Sequence, residues 1–196
     1  MPLSADIAQP GAADLFPVST RQARVAVSVA LCALLGALAA PAARSGGAEA
    51  SVTLTGLETG VLSQLNGIRA AHGLKPLRLN ARLSAAAAQH SREMGTAGYF
   101  EHESRDGTAF WKRIDRFYAS GGYGYWSVGE NLLWSSPEVD AEGALDLWMH
   151  SPEHRANILT ARWREIGVSA QHFGAAPGAY KELEVTIITT DFGVRR

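Results

Sequence analysis

Three side chains able to share protons or hold a metal stand in separate stretches of this chain. They are His102 in Tyr99-Phe-Glu-His-Glu103, Glu130 in Gly129-Glu-Asn131 and His154 in Ser151-Pro-Glu-His154. Two imidazoles and a carboxylate suit a borderline divalent ion, zinc foremost, with a position left open for water. The same groups suit an acid/base set that passes protons. Their spacing does not force them together, as it would if both histidines lay one turn apart on one helix. Each also has an ordinary alternative: Ser151 or water satisfies His154, His102 caps a turn, and Glu130 accepts backbone N–H groups of its own loop. No nucleophile stands out, because no cysteine follows Cys32 and there is no G-x-S-x-G elbow.

The elements that must position these groups follow from periodicity. Ser151 is placed to cap a helix, with Pro152 at the first helical position, where a missing N–H costs nothing. His154 then sits in the first turn, near the positive end of the helix dipole, which disfavours imidazolium. Upstream, Thr55-Gly-Leu-Glu58 is a capping-box pattern. Leu57, Val61, Leu62, Leu65 and Ile68 follow at helical spacing, and Gly73 closes the helix. Asn80 caps a second helix with Leu83, Ala87, His90 and Met94 on one face, ending near Gly95 or Gly98. A short third helix after Gly107-Thr108 carries Trp111, Ile114 and Tyr118. Gly121 to Trp126 reads as a glycine-aromatic loop running into the Glu130 segment, so that all three candidate residues occupy junctions, where side chains are exposed on rigid supports. Ser136-Pro137 opens another helix, with Val139, Ala144, Leu147 and Trp148 buried. Ile166–Phe173 and the β-branched Leu183–Phe192 are strands that pair antiparallel across a Gly/Pro-rich connection. Helices first and strands last give the α+β class.

The remaining polar groups read as structural. His90 shares an apolar face and is expected in the core with a hydrogen-bond partner. His72 beside Gly73 complements a helix C-terminus, His150 is solvated, and His172 lies in a strand. Tyr123, Tyr125 and Trp126 either floor a groove or pack beneath their loop. Glu142 and Asp146, one turn apart, make a solvated face.

The N-terminal third is not domain material. Arg21 and Arg24 precede the apolar run Val25–Ala40, and Pro41, Ala42 and Ala43 follow, which is the pattern of a secretory signal. The run is short for a membrane span, which takes about 20 apolar residues; an N-terminal anchor is the alternative to a cleaved signal. The reading is therefore a signal with a long lead over 1–42, a small-residue linker over 43–54, and a folded domain over 55–194. Cys32, the single cysteine, lies in the apolar run, so the exported part has no thiol and depends on its core alone. A net charge of −1 without basic clusters gives no support for nucleic-acid binding, and none is expected.

In their order, several segments resemble the CAP superfamily, the group of cysteine-rich secretory proteins, antigen 5 and pathogenesis-related 1 proteins, in its bacterial cysteine-free branch. They are Leu65-Asn-Gly-Ile-Arg69, Leu77-Arg-Leu-Asn80, Ala88-Gln-His-Ser-Arg-Glu-Met94, Tyr99-Phe-Glu-His102, Gly129-Glu-Asn-Leu132, Trp148 through Ile158, and Ile166-Gly-Val168. The likeness covers about Leu57 to Gly193. It implies a three-layer α-β-α sandwich around a central antiparallel sheet, and a cleft lined by two histidines and up to two glutamates that binds zinc or similar ions in several members. By motif, His102 is the first histidine, Glu130 the first glutamate and His154 the second histidine. Ser151 stands where animal and plant members place the second glutamate, and Glu153 replaces the usual glycine before the second histidine. The resemblance therefore implies a His102–Glu130–His154 set, with Ser151 and Glu153 as the groups that could complete it.

Two functions fit. The favoured one is a secreted, non-catalytic, monomeric binding module, acting in the periplasm or outside the cell, with a metal-holding cleft and a groove for a lipid, glycan or protein. Its rival is a metal-assisted hydrolase of peptidase or esterase type, with an ion on His102 and His154 and with Glu130 as general base.

Overall fold

The computed structural model describes residues 53–196. The expected signal over 1–42, Cys32 and the linker as far as Val52 lie outside the described residues. Helix α1 (Gly56–Ala71) opens with the capping box expected of it: Thr55 Oγ1 accepts from Glu58 N, and Glu58 Oε2 accepts from Thr55 N at 2.8 Å. Gly73, at φ +69°, turns the chain out in the left-handed region that a Cβ disfavours. Arg78–Leu79 form β1, a two-residue strand within the turn expected between Pro76 and Asn80. Asn80 Oδ1 accepts from the N–H groups of Arg82 and Leu83 and so caps α2 (Ala81–Ala97), which ends at Gly98 in the left-handed region.

The short helix α3 (Phe110–Phe117) lies where expected, with Tyr118 just past its end. Beyond it the fold departs from the expected loop. Trp126–Ser135 is a ten-residue strand, β2, buried through Leu132. Gly129, Glu130 and Asn131 are poor strand formers, and their burial against helices overrides that preference. Ser136 and Pro137 form a bend. The next helix, α4 (Ala141–His150), starts later than expected, where the Asp140 carboxylate accepts from Gly143 N at 2.8 Å. Its buried stripe is Ala141, Ala144, Leu145 and Trp148, while Leu147 is only half-buried. Helix α5 is Pro152–Ile158, and β3 is Glu165–Ala176. A 3-10 turn at Gly178–Tyr180 leads into β4, Leu183–Arg195.

The sheet order is β1-β3-β4-β2. β3 and β4 pair antiparallel as expected, with Ile166 opposite Phe192, and β4 pairs antiparallel with β2 on its other side. Only β1 departs from the antiparallel pattern, lying parallel to β3. Strand alternation then assigns the two faces. Ile188, Phe192 and Val194 of β4 join Ile166 and Val168 of β3 against α1, α4 and α5, whose Val61, Leu65, Trp148 and Ile158 are almost fully buried. On the opposite face, Leu83, Ala86, Ile114, Trp126 and Val128 pack under α2 and α3. Met94, Leu132, Tyr180 and Ile187 extend that layer. The result is a helix–sheet–helix sandwich. Among the described residues no helix is long and apolar enough to cross a membrane.

One cross-strand row sets two carboxyl groups side by side. Glu130 of β2, Asp191 of β4 and Gly167 of β3 lie directly opposite one another, on the face that α2 covers. Gly167 is forced by packing: a Cβ there would lie 2.1 Å from the backbone carbonyl carbon of Leu83. The missing Cβ lets the α2 backbone press onto the sheet beside the two buried carboxyl groups.

Candidate functional site

Glu130 stands in the middle of β2, not at a junction, and its side chain is wholly buried. Both of its oxygens are engaged. Oε1 accepts from His102 Nδ1 at 2.8 Å, and Oε2 accepts from the guanidinium of Arg113. Arg113, on α3, is itself fully buried. Its Nη1 donates to the His102 carbonyl at 2.9 Å and to Ser104 Oγ at 3.3 Å. One arginine therefore fixes both the carboxylate and the backbone of the histidine which that carboxylate holds.

His102 lies in an irregular segment, yet its backbone is tied from four directions. The Gly98 carbonyl accepts from Ala179 N at 2.9 Å, and the Tyr99 carbonyl accepts from Tyr180 Oη at 2.8 Å. His90 Nε2 donates to the Glu101 carbonyl at 2.9 Å, and Arg113 takes the His102 carbonyl. His90, with no exposed surface, is thus the hydrogen-bonded core histidine expected from its place among Leu83, Ala87 and Met94. The ring of Phe110 meets that of His102 edge-on, with centroids 6.2 Å apart.

His154 sits in the first turn of α5, half-buried, with Nδ1 2.8 Å from Ser151 Oγ. The Asn131 side chain donates to its carbonyl at 3.2 Å, and Asn157 Nδ2 donates to the carbonyl of Glu130 at 3.2 Å. These two amides tie α5 to the strand carrying Glu130. The fold thus gathers the expected residues as a His102–Glu130 pair with a second imidazole, His154, within its electrostatic reach. Among the described residues no cluster of three or more histidine, aspartate or glutamate side chains is disposed around one point to hold a metal.

The other polar groups fall where they were expected. His72 caps α1 through the Ile68 carbonyl, and exposed His150 contacts Asp146. His172 on β3 faces Glu184, and Glu142 and Asp146 are solvated. Trp126 is core, donating to the Tyr118 carbonyl, while Tyr123 and Tyr125 lie against Arg195 and Arg196.

Residues 62–181 match the model of the CAP family, the cysteine-rich secretory protein family. The chain belongs to this family. A 1.5 Å structure of an extracellular protein containing an SCP domain, from Bacillus anthracis, is 27% identical and superposes with a TM-score of 0.52. It covers 74% of this chain and 45% of its own. An outer surface protein of Borrelia burgdorferi shares the fold at 18% identity, with a TM-score of 0.54 over 69% of this chain and 90% of its own. The uncharacterised protein YkwD of Bacillus subtilis is 30% identical over 127 residues, 65% of this chain and 47% of that protein. The chain spans less than half the length of the curated relatives it matches.

In this CAP domain, electrostatics separate the charged groups sharply. Burial alone would raise Glu130, but Arg113 and the His102 hydrogen bond outweigh it and hold the carboxylate down to about 2. Asp191, the fully buried cross-strand neighbour, goes the other way. Burial, and then the negative charge of Glu130, push it well above the usual carboxylate range. Burial chiefly, with repulsion from His102, lowers His154 to about 4, so its imidazole is neutral near pH 7.

Sequence reading did not single out Arg113 or Asp191, though both left signals. Phe110, Arg113, Ile114 and Phe117 make one helical stripe, which places a guanidinium among apolar residues. Asp191 interrupts the β-branched run of a central strand. A charge in either place calls for a buried partner.

Proposed function

We propose that this domain acts outside the cytoplasm as a monomeric, non-catalytic binding module, whose His102–Glu130–His154 cleft takes a divalent ion, zinc foremost, beside a groove for a lipid, glycan or protein ligand. The observation that carries this reading is the state of Glu130. A general base needs an available oxygen and a pKa near the working pH. Glu130 has neither, because Arg113 and His102 occupy both oxygens and hold it fully ionised. That favours binding over hydrolysis.

Two imidazoles are donors of the type that suits such an ion. His102 and His154 would be the ligands, with Glu130 fixing the ring of His102 through Nδ1, as carboxylates behind metal-binding histidines do. Neutral His154 would ligate through Nε2, since Nδ1 faces Ser151. Zinc bound there would supply Lewis acidity and open positions for an electron-rich ligand atom. Export is supported by the apolar run Val25–Ala40 behind Arg21 and Arg24, and by relatives described as extracellular or outer-surface proteins.

Zinc titration of the purified domain by calorimetry tests the site: one equivalent is expected to bind to the native protein and none to His154→Ala. Screens with peptide, ester and glycan substrates are expected to show no turnover with or without zinc. Turnover abolished by Glu130→Gln overturns the binding-module reading in favour of a hydrolase.

A further inference from the structure

Ser151 has the position of a helix N-cap but does not act as one. It precedes α5 with φ −92° and ψ 118°, and Pro152 occupies the first helical position, yet the hydroxyl makes no capping hydrogen bond. It turns instead to His154, with Oγ 2.8 Å from Nδ1. Glu153 Oε2 lies 3.5 Å from the same oxygen on its other side. A hydroxyl has one proton to give. With the Glu153 carboxylate nearby, that proton is drawn away from the imidazole, and Oγ presents a lone pair to Nδ1.

We propose that Ser151 is the positioning residue of His154: it accepts from Nδ1–H, fixes that tautomer, and turns an Nε2 lone pair outward. The two histidines are then held alike at Nδ1, His102 by a buried carboxylate and His154 by a neutral hydroxyl. The neutral partner makes His154 the weaker electron donor of the two, so an electrophile at Nε2 is held more loosely there than a carboxylate-backed imidazole would hold it. The consequence for zinc rests on the metal-holding cleft proposed for this domain; the consequence for the tautomer does not.

Nitrogen-15 spectra of the metal-free protein at neutral pH read the tautomer directly. The native protein is expected to show His154 protonated at Nδ1. Ser151→Ala is expected to move it toward the Nε2–H form that an unrestrained imidazole prefers, and Ser151→Thr, which keeps the hydroxyl, to restore the native signature. In zinc titrations, Ser151→Ala is expected to weaken affinity about tenfold, the lower end for loss of such an outer-shell partner, with Thr recovering it. An unchanged His154 tautomer in Ser151→Ala overturns the proposal whatever zinc does. A tautomer shift in a protein whose native form takes no zinc upholds the positioning role and removes the metal reading instead. A hydroxyl that merely capped the helix would change the unfolding midpoint and leave the imidazole spectrum untouched.

Discussion

Two carboxyl groups without exposed surface, side by side across β2 and β4, take opposite protonation states because only one of them meets an arginine. Glu130 is ionised against Arg113, and Asp191, beside that negative charge, is pushed toward its neutral form. The sign of the consequence is fixed. Folded Asp191 binds a proton that the unfolded chain releases just above its ordinary pKa of 3.8, so its contribution is complete in acid and is lost as the pH rises. Asp191→Asn keeps the shape and the neutrality without the ionisation. Its stability relative to the native protein is expected to grow as the pH rises above the ordinary 3.8, read from urea midpoints at each pH. A constant difference would mean that Asp191 is ionised in the fold. The candidate histidines and Glu130 were legible in the sequence because their residue types advertise chemistry. Their supports were not, since what makes Arg113 and Asp191 important is whom they face, and that is set by the pairing of strands and by the docking of α3.

At the scale of elements, close approach of backbones decides which substitutions are tolerated. Gly167→Ala would drive a methyl group into the backbone of Leu83 and Ser84, neither of which can rotate away. It is expected to destabilise by at least about 1–3 kcal/mol, the usual range for overpacking. Gly67→Ala, on the exposed side of α1 with open space around the new methyl, is expected to stabilise by about 0.5–1 kcal/mol through helix propensity. Thermal melts of the two variants should therefore move in opposite directions. Elements with a clean period were readable: α1 and α2 from their apolar stripes and caps, β3 and β4 from alternation and β-branched residues. β2 was hidden because its polar centre is buried by partners far away in sequence. β1 is too short to carry a period, and the Ser136-Pro137 signal was outcompeted by the better cap at Asp140.

For the molecule as a whole, acid acts through His154 and Glu130 in succession. Folded His154 resists the proton that the unfolded chain accepts from about 6.5, so stability falls as the pH drops from there toward about 4. Glu130 contributes fully above its ordinary 4.5, and its contribution is lost as the pH falls toward about 2. Asp191 acts the other way over part of the same range, so each loss is read as a difference from a variant. The stability of the metal-free native protein relative to His154→Gln is expected to fall as the pH drops from about 6.5 to about 4 and to level off below, in urea titrations across that range. The order of strands in the sheet has a separate consequence, for biosynthesis. β4 lies between β3 and β2 and, among the described residues, is the only strand hydrogen-bonded to β2, yet it follows both in the chain. A nascent polypeptide cannot close this sheet until β4 has left the ribosome, and until then the apolar faces of the earlier helices lack the floor they pack against. Such a chain stays without its finished core throughout the synthesis of the domain, and it folds only when the last strand is free to pair.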